Sequence, residues 1–287
     1  MKMYWAAVVL TALLGASAGT AGAPAANNRI DELVFARLGE RGIPASALCS
    51  DAVFIRRVYL DMTGTLPPAG KVNAFLKNGR ADKRARLVEE LFEHPAYADY
   101  WAQKWCDLLR VKAEFPSKLW PNAVQAYHRW LRDAMRDNMP YDRFARALLT
   151  SSGSNFRVPP VNFYRAVPSK DPRGIAEAVA LTFLGERVDA WPADRADGFG
   201  TFFSLVGYNG TAEWKEEIVF FDLERALSNQ AASVQLEGVF PDGTVRALDP
   251  LEDPRVVFAE WLVADERFAR NLATRTWAWL MGRGLVH

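Results

Sequence analysis

The chain has 287 residues, of which 50% are hydrophobic and 24% are charged, and its formal net charge is +1 at pH 7. This composition excludes a disordered chain and is sufficient for one large domain or two smaller domains with real cores. The even charge balance, without a basic run, argues against nucleic acid as a partner.

The first residues have the pattern of a secretory signal peptide. Lys2 precedes an apolar stretch from Trp5 to Leu14, and Ala16-Ser17-Ala18 fits a signal peptidase site. The apolar stretch is too short to span a bilayer, although an uncleaved anchor remains the alternative. We therefore predict a signal peptide at residues 1–18 and a linker at residues 19–27. The mature protein is expected to be exported, periplasmic or extracellular, and without a membrane attachment.

Apolar residues recur at helical spacing through most of residues 28–206. Ser50 fits an N-cap, Gly64 a helix stop, and Pro121 a first helical turn. The predicted helices lie in NRIDELVFARLGERG, SDAVFIRRVYLDMTG, the short segment after Pro67-Pro68, DKRARLVEELFEHP, YWAQKWCDLLRVK, PNAVQAYHRWLRDAMRDN, YDRFARALLTSSG, DPRGIAEAVALTFLG and PADRADGFGTFFSLV.

The pattern changes at Gly207. WKEEIVFFD and VQLEGVFPDGTVRAL are typical of short strands, and Asp242-Gly243 favours a hairpin turn. Helical spacing returns over residues 249–287 in DPRVVFAEWLVADERFARNLATRTWAWLMGRG. The prediction is a mainly α fold with a small β insertion near residues 207–248.

The motifs that hold metals and cofactors are absent from the sequence. Covalent haem requires Cys-x-x-Cys-His, but the two cysteines, Cys49 and Cys106, lie far apart in the chain. His94, His128 and His287 do not complete a zinc site at any familiar spacing. We predict no metal and no cofactor.

Cys106 falls on an apolar helical stripe with Ala102, Trp105 and Leu109, which predicts a core position. Cys49 lies in a loop. In an oxidising compartment two cysteines often pair, so a Cys49–Cys106 disulfide and two buried free thiols are both open interpretations. A nucleophilic Cys106 is less favoured, because no basic partner is visible beside it.

Two further patterns each have a functional and a structural interpretation. Trp101 with Trp105, and Trp277 with Trp279, suggest sugar-stacking platforms, but aromatic stripes at helical spacing more often belong to a core. Carboxylates at Asp61, Asp107, Glu114 and Asp189 suggest acid–base catalysis. The sequence does not pair them, and helix caps or surface ion pairs explain most such residues.

Several stretches resemble one bacterial family. FIRRVYLDMTGTLPP, the following RARLVEELFEHPAYADYWAQKWCDLLR, and YDRFARALLTSSG match its motifs, as do DPRVVFAEWL and TRTWAWLMGRGLV near the end. The family is a domain of unknown function in exported proteins of planctomycetes and verrucomicrobia, often called cytochrome-associated. The resemblance covers most of residues 28–287, and it implies that residues 249–287 begin a second helical domain that the chain does not complete.

The chain departs from this pattern after Phe183-Leu184-Gly185. Many relatives carry Cys-x-x-Cys-His there, whereas here Val188-Asp189-Ala190 leads directly into Trp191. A haem role is therefore not carried over, and electron transfer is disfavoured.

The resemblance implies an association with polysaccharide use, because family members occur alongside sulfatases. We predict a noncatalytic exported module that binds extracellular polysaccharide or another exported protein, with a polysaccharide hydrolase as the alternative. The predicted site is a polar face on adjacent helices, and a buried structural ion network competes with it. Its residues are Arg56, Arg57, Asp61, Asp107, Arg110 and His128.

Overall fold

The computed structural model describes residues 25–114 and 118–284, which contain thirteen α-helices and five short strands. The helices α1 to α13 are Arg29–Glu40, Asp51–Thr63, Ala69–Lys77, Lys83–Phe92, Pro95–Leu108, Pro121–Arg136, Tyr141–Thr150, Asn162–Ala166, Pro172–Val179, Ala193–Gly200, Leu223–Ala231, Pro254–Ala264 and Glu266–Met281. The strands β1 to β5 are Gly153–Ser154, Val206–Gly210, Glu217–Phe221, Glu237–Val239 and Val245–Ala247. The predicted mainly α fold with a small β insertion is confirmed. The predicted signal peptide lies outside the described residues.

Local sequence signals set the ends of α2 as predicted. The Ser50 hydroxyl accepts a hydrogen bond from the Val53 amide at 3.4 Å, which caps the first turn. Gly64 ends the helix in the left-handed conformation, with φ +67°. A Cβ at Gly64 would lie 2.5 Å from the Tyr100 ring, so both the backbone angle and the space require glycine.

The described chain forms two compact units. Unit 1 comprises residues 25–101 and 135–138, and unit 2 comprises the remaining described residues. In unit 1, α2 packs against α3 and α4. Asp51, in the first turn of α2, forms ion pairs with Lys83 and Arg84 of α4 at 2.5 and 2.7 Å. The predicted boundaries after residues 206 and 248 fall within unit 2, and they stay predictions.

Aromatic side chains dominate the core of unit 2. One cluster joins the end of α10 to α12, and a second joins α5, α7 and α13. The first contains Phe199, Phe202, Phe203 and Phe258, and the second contains Trp105, Tyr141, Phe144, Phe268 and Trp279. Among the described helices none is long and apolar enough to cross a membrane.

Two small antiparallel sheets complete unit 2. The three-stranded sheet has the order β1-β3-β2, with Gly153 opposite Val219 and Tyr208 opposite Val219 on the other side. The β4-β5 hairpin turns at Asp242-Gly243 as predicted, and Gly243 has φ +90°. Strands β1 and β2 were not predicted, because β1 is too short to show alternation and β2 begins and ends beside glycines.

The predicted helix at PADRADGFGTFFSLV is shorter than expected. Helix α10 ends at Gly200, a 3₁₀ turn covers Thr201–Phe203, and β2 begins at Val206. Gly200 packs against the backbone at the start of α9, since a Cβ there would lie 3.4 Å from the Arg173 nitrogen. The three buried phenylalanines at helical spacing therefore signalled a core and not a continuous helix.

Candidate functional site

The residues predicted as a polar site are divided between the two units. In unit 1, Arg56 and Arg57 are exposed on α2. Arg57 forms a local ion pair, at i and i+4 on the helix, with half-buried Asp61 at 3.8 Å. In unit 2, Asp107 is exposed on α5, whereas Arg110 and His128 are half-buried. A single site containing all six residues stays a prediction.

A cavity of about 420 Å³ lies in unit 2 between the end of α5 and the first half of α6. Its lining combines two valines with polar and thiol side chains. The lining residues are Cys106, Val111, Val124, Gln125, His128 and Arg129.

The amphipathic pattern of α6 explains which residues face this cavity. Ala123, Tyr127 and Leu131 recur every four residues and are fully buried in unit 2. The lining residues of α6 occupy a neighbouring stripe at i, i+1, i+4 and i+5, so they form one wall of the cavity.

Cys106 is a half-buried thiol at the edge of this cavity. Burial, and then the negative charge of Asp107, raise the pKa of its thiol to about 12. The group is therefore protonated at neutral pH, which does not suit a nucleophile. Both cysteines carry free thiols in the structure and lie in different units. A Cys49–Cys106 disulfide stays a prediction.

Arg110 has an unusual position after the end of α5. Its φ is +58°, in the left-handed region that non-glycine residues seldom adopt. Although Asp107 and Arg110 are three positions apart, they form no ion pair, since the helix ends at Leu108 before Arg110. Among the described residues no side chain or carbonyl pairs with its guanidinium, and burial lowers its pKa.

Tyr127 is the second unusual group beside the cavity. Its ring is fully buried, and its hydroxyl has no hydrogen-bond partner among the described residues. Burial raises the pKa of this hydroxyl, and it interacts electrostatically with both Cys106 and Arg110.

A second feature of unit 2 is an aromatic surface formed by Trp120, Trp214 and Lys215. The indole rings of Trp120 and Trp214 lie 5.2 Å apart, edge to face, and Trp214 is 68% exposed. The Lys215 ammonium lies 4.6 Å from the centre of the Trp120 ring and 5.5 Å from that of Trp214. Trp120 and Lys215 have φ values of +68° and +63°, so both positions carry backbone strain.

Hydrogen bonds fix the turn that carries Trp214. The Glu216 carboxylate accepts from the hydroxyls of Ser154 and Thr211 at 2.5 and 2.7 Å, and these bonds lower its pKa. The Glu216 amide donates to the Glu213 carbonyl at 3.1 Å. Trp214 is therefore held at the tip of an ordered turn between β2 and β3.

The sequence interpretation did not identify the aromatic surface. The tryptophans predicted as sugar-stacking platforms lie at helical spacing, and of these Trp101 and Trp105 are buried while Trp277 and Trp279 are half-buried. The available signal was a tryptophan within the polar stretch NGTAEWKEE, where no apolar period requires one. Such a residue is expected in a surface turn.

A family model gives the chain its place among known proteins. The model of PSCyt2, described as a protein of unknown function (DUF1549), matches residues 29–191. The chain belongs to this family. The match confirms the resemblance seen in the sequence, and it includes the cavity and Trp120, whereas Trp214 and Lys215 lie beyond it. No curated protein and no solved structure matches the chain.

In this PSCyt2 member the residues after Gly185 do not fit a haem. Residues 186–191 contain a 3₁₀ turn at Val188–Ala190 and no cysteine or histidine. The Trp191 ring packs on Phe199 at 5.6 Å and on the Arg195 guanidinium at 4.1 Å. Within the described ranges no group of three His, Cys, Asp or Glu residues is placed to hold a metal ion.

Proposed function

We propose that the chain is an exported, noncatalytic binding module that holds extracellular polysaccharide on the aromatic surface of Trp120, Trp214 and Lys215. The observation that supports the proposal is the exposure of Trp214. At 68% it is the highest among the large hydrophobic side chains described. An exposed indole is unfavourable in water and marks a binding surface when its neighbours are also aromatic.

The chemistry of this surface suits a sugar chain. Indole rings present flat apolar faces that match the C–H faces of pyranose rings, while Trp N–H groups bond hydroxyls. The Lys215 ammonium adds a donor and a positive charge beside both rings. The surface therefore favours a polysaccharide that carries sulfate or carboxylate groups.

Acid–base catalysis has less support at this surface. The pKa of Glu216 is lowered by its hydroxyl partners, so the group is ionised at neutral pH. Burial disfavours the ionised form of Glu217, but hydrogen bonds from Arg165 and Lys170 have the larger combined effect. The pKa of Glu217 is therefore also lowered. A general acid needs the opposite shift.

The test is affinity electrophoresis of the purified protein through gels that contain neutral or sulfated polysaccharides. We expect retardation by at least one sulfated polysaccharide, and Trp214→Ala should weaken the affinity at least tenfold. Leu251→Ala is the matched control, since Leu251 is an apolar side chain of unit 2 that is 64% exposed. Lys215→Met should weaken binding to sulfated chains more than to neutral ones.

Two outcomes oppose the proposal. Mobility that no polysaccharide alters, or retardation that survives Trp214→Ala, would leave another exported protein as the partner. Release of reducing ends by the wild-type protein would favour the hydrolase alternative.

A further inference from the structure

A second lysine lies beside the aromatic surface. The Lys170 ammonium lies 4.2 Å from the centre of the Tyr208 ring, and it bonds both oxygens of the Glu217 carboxylate at 3.0 Å. Its side chain is 44% exposed. Lys170 therefore repeats the pairing of an exposed ammonium with an aromatic ring that Lys215 forms with Trp120.

The pairing of β2 with β3 places this lysine next to the aromatic surface. Tyr208 and Glu217 share one face of the sheet, because Glu217 is opposite Gly210 and residues two apart on a strand point the same way. The Arg165 guanidinium donates to the Glu217 carboxylate at 2.8 Å and to the Leu119 carbonyl at 3.5 Å. The residue after Leu119 belongs to the aromatic surface, so Arg165 bridges the two features.

The two lysines lie close enough to contact one polymer. Lys215 precedes Glu217, the partner of Lys170, by two positions (217 − 215), and two residues span at most about 7 Å of backbone. A sugar chain bound on the aromatic surface therefore has Lys170 within reach of its next sugars.

The charge balance around Glu217 leaves one cation in excess. Arg165 and Lys170 share this single carboxylate, and the Arg165 side chain is 9% exposed and also bonds Asn162. Asp171 follows Lys170, but its carboxylate accepts from an amide in the first turn of α9 at 2.9 Å. The positive end of that helix compensates its charge. Lys170 is therefore the cation of this cluster that faces water.

We propose that Lys170 and the aromatic surface form one extended site for a sulfated polysaccharide, in which Lys215 and Lys170 pair with sulfate groups on different sugars of the same chain. The inference rests on the proposed function and adds a minimum length to the ligand. A disaccharide contacts the aromatic surface alone, whereas a hexasaccharide also reaches Lys170. Two contacts on one polymer reinforce each other, because the first raises the effective concentration of the second.

The test measures the affinity of the purified protein for dextran sulfate fractions of two and six sugars by titration calorimetry. We expect the hexasaccharide to bind at least tenfold more tightly than the disaccharide. Lys170→Met should lower this ratio at least threefold, and Lys170→Arg, which keeps the charge, should retain it. Arg143→Met is the matched control at an exposed arginine of unit 2 and should also retain the ratio.

Failure of the extended site and failure of the proposed function give different results. Equal affinity for the two lengths, or a wild-type ratio in Lys170→Met, overturns the extended site even where Trp214→Ala weakens binding of both fractions. An equal fall of the ratio in Arg143→Met also overturns it, because the effect would then belong to net charge. If Trp214→Ala binds both fractions like the wild type, the proposed function and the extended site fail together. If neither fraction binds, the extended site is overturned, and electrophoresis through the other polysaccharides decides the proposed function.

Discussion

Two arginines of unit 2 are shielded from water, but their guanidinium groups differ in their partners. Arg255, in the first turn of α12, is 1% exposed, and its guanidinium bonds both carboxylate oxygens of Asp253, the Ser151 carbonyl and the Ser152 hydroxyl. Arg110, after α5, has no such partner among the described residues. The Arg255 guanidinium therefore stabilises the fold through its hydrogen bonds, whereas no described residue bonds the Arg110 guanidinium.

The pKa values of the two arginines reflect this difference. Burial disfavours the charged form of Arg255, but interactions with Tyr164 and Asp253 outweigh it, so its pKa is raised. For Arg110 the effect of burial is larger than that of Tyr127, so its pKa is lowered. Burial of a cation alone therefore does not show whether the fold depends on it, whereas its hydrogen-bond and ion-pair partners do.

The largest effect is expected for Arg255→Met. The change leaves the Asp253 carboxylate, the Ser151 carbonyl and the Ser152 hydroxyl without their shared donor. Breaking a buried ion pair on one side costs about 3–5 kcal/mol, and the free energy of unfolding should fall by that amount. Urea denaturation followed by circular dichroism measures it.

A second variant tests whether the ion pair is the cause. Asp253→Ser keeps an N-cap for α12 and removes the charge. In the double variant, the loss should be smaller than the sum of the two single losses by about 1–3 kcal/mol. Simple additivity, or a cost of Arg255→Met below about 1 kcal/mol, would contradict the assignment of Arg255 as a structural residue.

Glu217→Gln tests an ion-paired carboxylate whose partners are more exposed than Arg255. Arg165, with a side chain 9% exposed, bonds the Glu217 carboxylate at 2.8 Å, and exposed Lys170 bonds it at 3.0 Å. The variant keeps one acceptor but removes the charge, so we expect a loss of about 1–2 kcal/mol at pH 7.

The pH dependence of this loss has a defined sign. The pKa of Glu217 is lower in the folded protein than its ordinary value of 4.5. Its contribution is therefore complete above pH 4.5 and is lost as pH falls through the folded pKa. The difference in stability between wild type and Glu217→Gln should shrink in acid, and a difference that grows there would contradict the ion-pair interpretation.

The comparison also shows what the sequence could and could not predict. The helices were predictable because α2, α4 and α6 bury residues at regular helical spacing and carry local start and stop signals such as Ser50 and Gly64. The β4-β5 hairpin was predictable from Asp242-Gly243. These features depend on neighbours in the sequence.

The candidate sites depend on residues far apart in the chain. Trp120 and Trp214 are separated by 94 positions (214 − 120). Trp214 lies in the turn that joins the paired strands β2 and β3. Arg110 and His128 were identified as polar helix residues, but the left-handed turn at Arg110 and the unsatisfied Tyr127 hydroxyl have no signature in the sequence. Nor did the sequence separate Arg110 from Arg255.

The smallest effect on stability is expected for Arg110→Met. Methionine retains the apolar stem and removes a partly desolvated charge that no described residue compensates, so the free energy of unfolding should stay unchanged or rise by up to about 1 kcal/mol. Urea denaturation measures it beside Arg255→Met, and Arg143→Met, at an exposed arginine of unit 2, controls for loss of one positive charge. A loss above about 2 kcal/mol would make Arg110 a second structural arginine. A neutral or stabilising result would mean that the fold does not need this cation, in contrast to Arg255.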